Sequence, residues 1–187
     1  MNTGTVSVRY ARALLQYAVE LGQEEKVYAE MQILSRRLTH VRAIHERLSD
    51  PTVGNEAKCS LLETAVTEGK CQPSDALSRF FRLVTAAGRC DMLLFMASSY
   101  IDLYRKRNGI VPVQLITAAP VGDERRERLK KLIETVEHGR LEWTHSVDPR
   151  LEGGFVLQID GYRLDASVAT RLQRIRKELI EKNNRII

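Results

Sequence analysis

The chain has 187 residues, 43% of them hydrophobic and 28% charged, with a formal net charge of +5. That balance is too apolar for a disordered chain, and no run approaches the ~18 apolar residues that a membrane-spanning helix needs. The positive excess raises nucleic acid as a partner, but basic and acidic residues alternate along the chain, which favours a solvated mixed surface over a binding patch.

The opening, Met1 to Ser7, has neither the apolar core of a signal peptide nor the Arg-rich character of a transit peptide, so the cytoplasm is the expected compartment. Ser7 is the expected N-cap of a first helix ending at Leu21, with Gly22 as its stop. Its apolar residues make two adjacent stripes: Ala11, Leu14, Leu15 and Ala18 form one, and Tyr10, Ala13, Tyr17 and Leu21 the other. Together they cover roughly 200° of the circumference, about twice what one core-facing stripe needs.

A second helix is expected from Glu24 to Thr39 on Val27, Met31, Leu34 and Leu38, and a short third from Val41 to Leu48. Ser49-Asp50-Pro51 stops it, and Asn55 is placed to cap a fourth carrying Leu61, Leu62, Ala65 and Val66. Gly69 to Pro73 reads as a loop leading through Ser74-Asp75 into a fifth helix. The fifth repeats the peculiarity of the first. Leu77, Phe81, Val84 and Gly88 make one stripe; Ala76, Phe80, Leu83 and Ala87 make its neighbour. A sixth helix runs from Met92 through Tyr104 into Arg105-Lys106-Arg107-Asn108-Gly109, its basic last turn suiting the negative end of the helix dipole.

After Gly109 the pattern changes. Ile110 to Ala118 is β-branched and predicts a strand, which Pro112 marks as an edge or irregular one. Asp123 to Glu137 predicts an amphipathic helix with Leu129, Leu132, Ile133 and Val136 on one face, and Leu141 to Val147 a second strand. Gly153-Gly154 then opens an apolar run, and Asp160-Gly161 between two alternating runs is a strong hairpin signal, because a type I′ turn needs positive φ at both centres. A last helix from Ser167 keeps Val168, Leu172, Ile175 and Leu179 on one face. The fold expected is mainly α, an N-terminal six-helix bundle over 1–107 followed by a small α+β domain over 108–187.

Chemistry is scarce. There is no glycine-rich phosphate loop and no nucleophile elbow, so no cofactor is expected. His40, His45, His138 and His145 are scattered, and Cys59, Cys71 and Cys90 lack a Cys-x-x-Cys pair, so neither a metal site nor a disulfide framework is expected. Trp143 reads as a core residue, and Arg171, Arg174 and Lys177 as a charged outer face. A protein that makes and breaks no covalent bond is the outcome. The informative feature is the pair of doubly apolar helices. They are either the two central helices of the bundle or the walls of a groove that receives an amphipathic helix from a partner.

The order of parts resembles a known family. Tyr10-Ala11-Arg12-Ala13-Leu14, Ala87-Gly88-Arg89, and Gly153-Gly154-Phe155-Val156-Leu157 with Asp160-Gly161 and Asp165-Ala166-Ser167 are similar to the delta subunit of bacterial F-type ATP synthase and its mitochondrial relative, the oligomycin-sensitivity-conferring protein. The Gly-Gly hairpin region is the specific motif; residues 25–75 carry no signature. The resemblance implies a non-catalytic peripheral-stalk (stator) subunit. In the family, the N-terminal bundle grips the N-terminal helices of the alpha subunits on the F1 head, and the C-terminal part meets the b subunits. The implied partner-helix groove is Tyr10, Ala13, Leu14 and Tyr17 with Phe80, Leu83 and Ala87, and the implied structural hairpin is Gly153, Gly154, Asp160 and Gly161. Ala87 stands where the family often has a polar residue, and Val27 where it has an aromatic. The resemblance further implies one copy per complex, no nucleic acid, membrane contact only through the complex, and a place at the cytoplasmic face of the bacterial cell membrane. The competing class is a basic helical nucleic-acid-binding domain.

Overall fold

The computed structural model describes residues 3–67, 72–120, 122, 127–131, 133 and 139–183. Cys71, Leu132, Val136, His138 and most of the loop expected at 69–73 lie outside the described residues, as does the side chain of Leu179. The chain divides into two compact units, Met1–Asn108 and Gly109–Ile187. The whole is mainly helical with a small four-stranded sheet, an α+β arrangement.

The first unit holds α1 (Thr3–Glu20), α2 (Glu24–His40), α3 (Arg42–Ser49), α4 (Asn55–Thr67), α5 (Asp75–Ala86) and α6 (Leu93–Asn108), the last preceded by a 3-10 turn at Cys90–Met92. One stripe of each doubly apolar helix is core. Ala11, Leu14, Leu15 and Ala18 of α1 are buried, as are Leu77, Phe81 and Val84 of α5. They meet Val27, Met31 and Leu34 of α2 and Met96, Ala97 and Tyr100 of α6, all fully buried. Aromatic rings extend this core: Tyr28 of α2 stacks on Tyr104 of α6 at 4.3 Å between centroids, and the Tyr100 hydroxyl donates to the Glu24 carbonyl at 3.2 Å. Of the two described cysteines, Cys90 is buried and Cys59 half-buried beside the Thr85 hydroxyl.

Ser7 is not a cap. The helix is already formed at Thr3, and Ser7, 1% exposed, lies inside it. A small hydroxyl fits a close-packed face as well as an end, so the residue type alone misplaces the start. Ser74 does sit at the N-cap of α5, but its hydroxyl turns away from the helix. It donates to the Glu30 carboxylate, which also accepts the Ser74 backbone N–H at 2.8 Å. Both residues are buried, so Glu30 anchors the start of α5 to α2. Glu30→Ala leaves two buried donors without an acceptor and is expected to cost about 1–3 kcal/mol. A urea titration should show the midpoint fall with its slope unchanged.

In the second unit the strands are β1 (Ile110–Thr117), β2 (Arg140–Val147), β3 (Phe155–Ile159) and β4 (Tyr162–Asp165), in the order β2-β1-β3-β4. β1 pairs in parallel with β2, and the β1–β3 and β3–β4 pairings are antiparallel. Residues 127–131 between β1 and β2 are helical, which is what a parallel crossover needs. Pro112 therefore stands in an internal strand, not an edge one. The Pro112 carbonyl accepts the Asp160 N–H at 3.4 Å, so its nitrogen faces β3 where the ladder ends and Asp160 enters the turn. The bond that its missing N–H would make is at most the last of the ladder, so the proline is tolerated.

The sheet's core is Val113, Leu115 and Leu157 with Ile133, and Leu129, Leu141, Trp143, Phe155 and Ile159 pack around it. At the β3–β4 turn Asp160 has φ 42° and Gly161 φ 87°, the pair of positive angles that a type I′ turn demands. The final helix, α7 (Val168–Asn183), begins after an Asp165–Ser167 turn in which the carboxylate accepts the Ser167 N–H at 3.0 Å and its hydroxyl at 2.7 Å. Those bonds hold the Asp165 carboxyl below the usual carboxylate range.

Candidate functional site

The leftover stripes of α1 and α5 face one another across an open cavity of about 260 Å³. Tyr10, Ala13, Leu14 and Tyr17 line it from α1, and Ala76, Arg79, Phe80 and Leu83 from α5. Six of the seven groove residues expected from sequence are thus brought together. Ala87 is exposed but is not among the lining residues, since it serves as the C-cap of α5, its N–H donating to the Leu83 carbonyl at 3.0 Å.

Depth varies along the groove. Leu14 and Phe80 form its floor at 3% and 7% exposed, and Ala76 is fully buried beneath it. Tyr10 and Tyr17 are half-buried, Ala13 is exposed, and Leu83 stands 54% exposed at the rim. Small residues keep the cavity open while the aromatics give it walls. The Tyr10 and Phe80 rings meet edge to face, 6.5 Å between centroids at 71°, an arrangement that fixes both rings. Tyr10 is held from its other end as well. The turn after α5 closes with Arg89 N–H on the Val84 carbonyl and Gly88 N–H on the Thr85 carbonyl, which brings Arg89 back over the groove. There its guanidinium lies 5.3 Å from the Tyr10 ring centroid and Nη1 donates to the Tyr10 hydroxyl at 2.6 Å. Arg79 lies over the Tyr17 ring in the same manner at 5.7 Å.

Two of these residues escape sequence reasoning. Arg79 is four positions before Leu83, so helical spacing puts it on the rim, but a charge inside an apolar stripe reads as surface. Arg89 belongs to a recognisable motif, yet its contact with Tyr10 spans 79 residues and leaves no local trace.

The second unit carries an exposed apolar face of its own. Val168, Leu172 and Ile175 of α7 are 41%, 54% and 52% exposed, and Leu164 and Tyr162 of β4 are more so. The expected apolar stripe of the last helix is present as a surface, not as core. Gly153 and Gly154 shape the approach to it, since Gly153 O accepts the Val168 N–H at 3.0 Å and so ties the start of α7 to the strand before it.

Reactive chemistry is not assembled at either place. Among the described residues no three His, Cys, Asp or Glu side chains converge as a metal site, and no helix is long and apolar enough to cross a membrane. His145 is engaged with the Thr117 hydroxyl at 2.9 Å, and His40 and His45 are exposed.

Comparison with known proteins gives matches over nearly the whole chain. The family model described as ATP synthase delta (OSCP) subunit matches residues 6–179. The chain is 41% identical to ATP synthase subunit delta of Phocaeicola vulgatus over 100% of both chains. It is 38% identical to the subunit of the same name of Bacteroides thetaiotaomicron, again over 100% of both. One chain of the cryo-EM structure of the Toxoplasma gondii mitochondrial ATP synthase hexamer shares the fold, with a TM-score of 0.70 over 93% of this chain and 97% of that one at 22% identity. With the family model spanning most of its length and full-length relatives above 30% identity, the chain belongs to the ATP synthase delta (OSCP) subunit family.

Proposed function

We propose that the α1–α5 groove receives an N-terminal helix of the alpha subunits on the F1 head, while the apolar face of β4 and α7 docks on the b subunits. The chain is a non-catalytic peripheral-stalk subunit of F-type ATP synthase, as its family is. Rotation of the central shaft exerts torque on the head, and a holder that resists it needs long residence rather than chemistry. In this reading the six helices of residues 1–107 act as one bundle that grips the head, and residues 108–187 tie it to the stalk. One copy serves each complex at the cytoplasmic face of the cell membrane, and contact with the bilayer is indirect. The observation that carries the reading is the open apolar cavity between α1 and α5, whose lining offers the kind of contact an amphipathic helix buries. The nucleic-acid alternative finds no support in the family match.

A fragment ending at Arg107 tests both the boundary and the groove. It should give a helical circular-dichroism spectrum, melt cooperatively, and bind a peptide copied from the alpha N-terminus with the affinity of the full chain in calorimetry. An unfolded fragment contradicts the boundary; a folded fragment and full chain that both ignore the peptide contradict the groove.

A further inference from the structure

We propose that the α1–α5 groove selects a helix carrying carboxylates beside its apolar stripe, with Arg79 and Arg89 as the specificity-determining residues that engage them. This rests on the reading of the groove as a receptor for a partner helix.

Among the described residues the groove's lining holds one charge, Arg79, and no carboxylate. α1 carries Arg9 and Arg12 against Glu20, and residues 75–90 carry Arg79, Arg82 and Arg89 against Asp75. Five basic and two acidic side chains leave these segments a net +3, but Arg9 and Arg12 line a different hollow, and Arg82 lines one with Glu56 and Glu63, so Arg79 is the cation of the groove itself. Three arginines elsewhere do sit against carboxylates: Arg42 on Glu46 at 3.0 Å, Arg150 on Asp148 at 3.1 Å and Arg163 on Asp165 at 3.3 Å. Among the described residues Arg79 and Arg89 have no such carboxylate. Each instead lies over a tyrosine ring of the cavity wall. A guanidinium resting on a ring keeps its in-plane N–H donors open to a second partner, and Arg89 commits one of them to Tyr10.

Those positions decide what fits. A helix seated on Phe80 and Leu83 strips water from Arg79, which lines the same cavity. A carboxylate on the flank of that helix supplies a bidentate acceptor for the guanidinium. An apolar or amide side chain leaves the charge partly desolvated and unpaired, and a lysine sets like charges together, so selection works by rejection as well as by attraction.

The test uses the full chain and two designed amphipathic peptides with one shared Leu/Ala stripe, flanked by Glu in one and by Lys in the other. Calorimetry should show the Glu-flanked peptide binding roughly tenfold tighter, the sum of two rim pairs, with the margin shrinking as salt is raised. Arg79→Glu combined with Arg89→Glu should abolish or invert the preference. Arg89→Lys, which keeps the charge beside Tyr10, should retain most of it, and Arg36→Gln, which removes the same charge from an exposed position on α2, should change nothing. Equal binding of the two peptides overturns the charge selection, as does an Arg36→Gln effect equal to that of Arg79→Gln. If the chain binds neither designed peptide nor the alpha N-terminal peptide, the groove reading itself has failed. If it binds the alpha peptide but does not discriminate between flanks, only the present inference has.

Discussion

Leu83→Asp is expected to weaken binding of an alpha N-terminal peptide by at least about 30-fold while leaving the fold intact. A well-packed apolar anchor in a groove contributes roughly 2 kcal/mol or more, and each 1.4 kcal/mol is tenfold in affinity. Leu83 is the clean place to ask, because 54% of it is exposed in the free chain and the core does not depend on it. Phe80→Asp would put a charge at a position only 7% exposed and unfold the helices, so lost binding there would prove nothing. Tyr10→Asp falls between the two, since it also removes the edge-to-face contact with Phe80 and the acceptor of Arg89. An Asp at position 83, near the C-terminal end of α5, opposes the helix dipole by about 0.5 kcal/mol, too little to melt the unit. The pair of measurements is therefore a peptide titration and a urea curve. A lost titration signal with an unmoved urea midpoint is the expected result, and an unchanged dissociation constant counts against the groove. In membranes carrying this variant, the proposed role predicts that proton flow and ATP turnover separate, because the head is no longer held against the shaft.

The two-stripe character of α1 and α5 is legible because helical periodicity at 100° per residue reports faces directly. Periodicity reports a direction and not a depth. It cannot distinguish Phe80, sunk in the floor, from Leu83 on the rim three residues later, nor say that Ala87 falls past the end of the cavity. Local turn chemistry reads well for the same reason that depth does not: Asp160-Gly161 needs only its own two dihedral angles to make a hairpin. Pro112 shows the limit of a local rule. A missing donor disqualifies a residue from an internal strand only if the ladder continues opposite it, and here β3 ends at that level. The stripe of α7 is the converse case, where the pattern predicts an apolar face correctly and is silent on whether anything in the chain covers it. Arg89 against Tyr10 is invisible for the plainest reason, because it is a tertiary contact between segments that share no repeat.

Gly154→Ala should destabilise the second unit by about 2–4 kcal/mol and spare the first. Gly154 has φ +77°, where an L side chain is strained, and an added Cβ would collide with the Ala166 carbonyl oxygen and lie 3.1 Å from Ser167 Cα. Both are backbone atoms at the start of α7, so nothing flexible can give way. Gly153 is the control beside it, because its Cβ would meet Val168 Cγ2 at 2.9 Å, the tip of a side chain that is 41% exposed and can rotate. Gly153→Ala should therefore cost much less. The chain carries its own unit-specific probe: Trp143 is the single tryptophan and packs against the sheet core, so its fluorescence reports the second unit. Far-ultraviolet circular dichroism is dominated by α1 to α6 and reports the first. In Gly154→Ala the fluorescence transition should move to lower urea while most of the helical signal holds, and the alpha peptide should still bind. Association with the b subunits should fall, because the tie between Gly153 and Val168 that orients the exposed face of α7 is lost with the turn. Coincident loss of both signals would mean that the two units fold as one, and the division of labour between a gripping end and a docking end would have no structural basis.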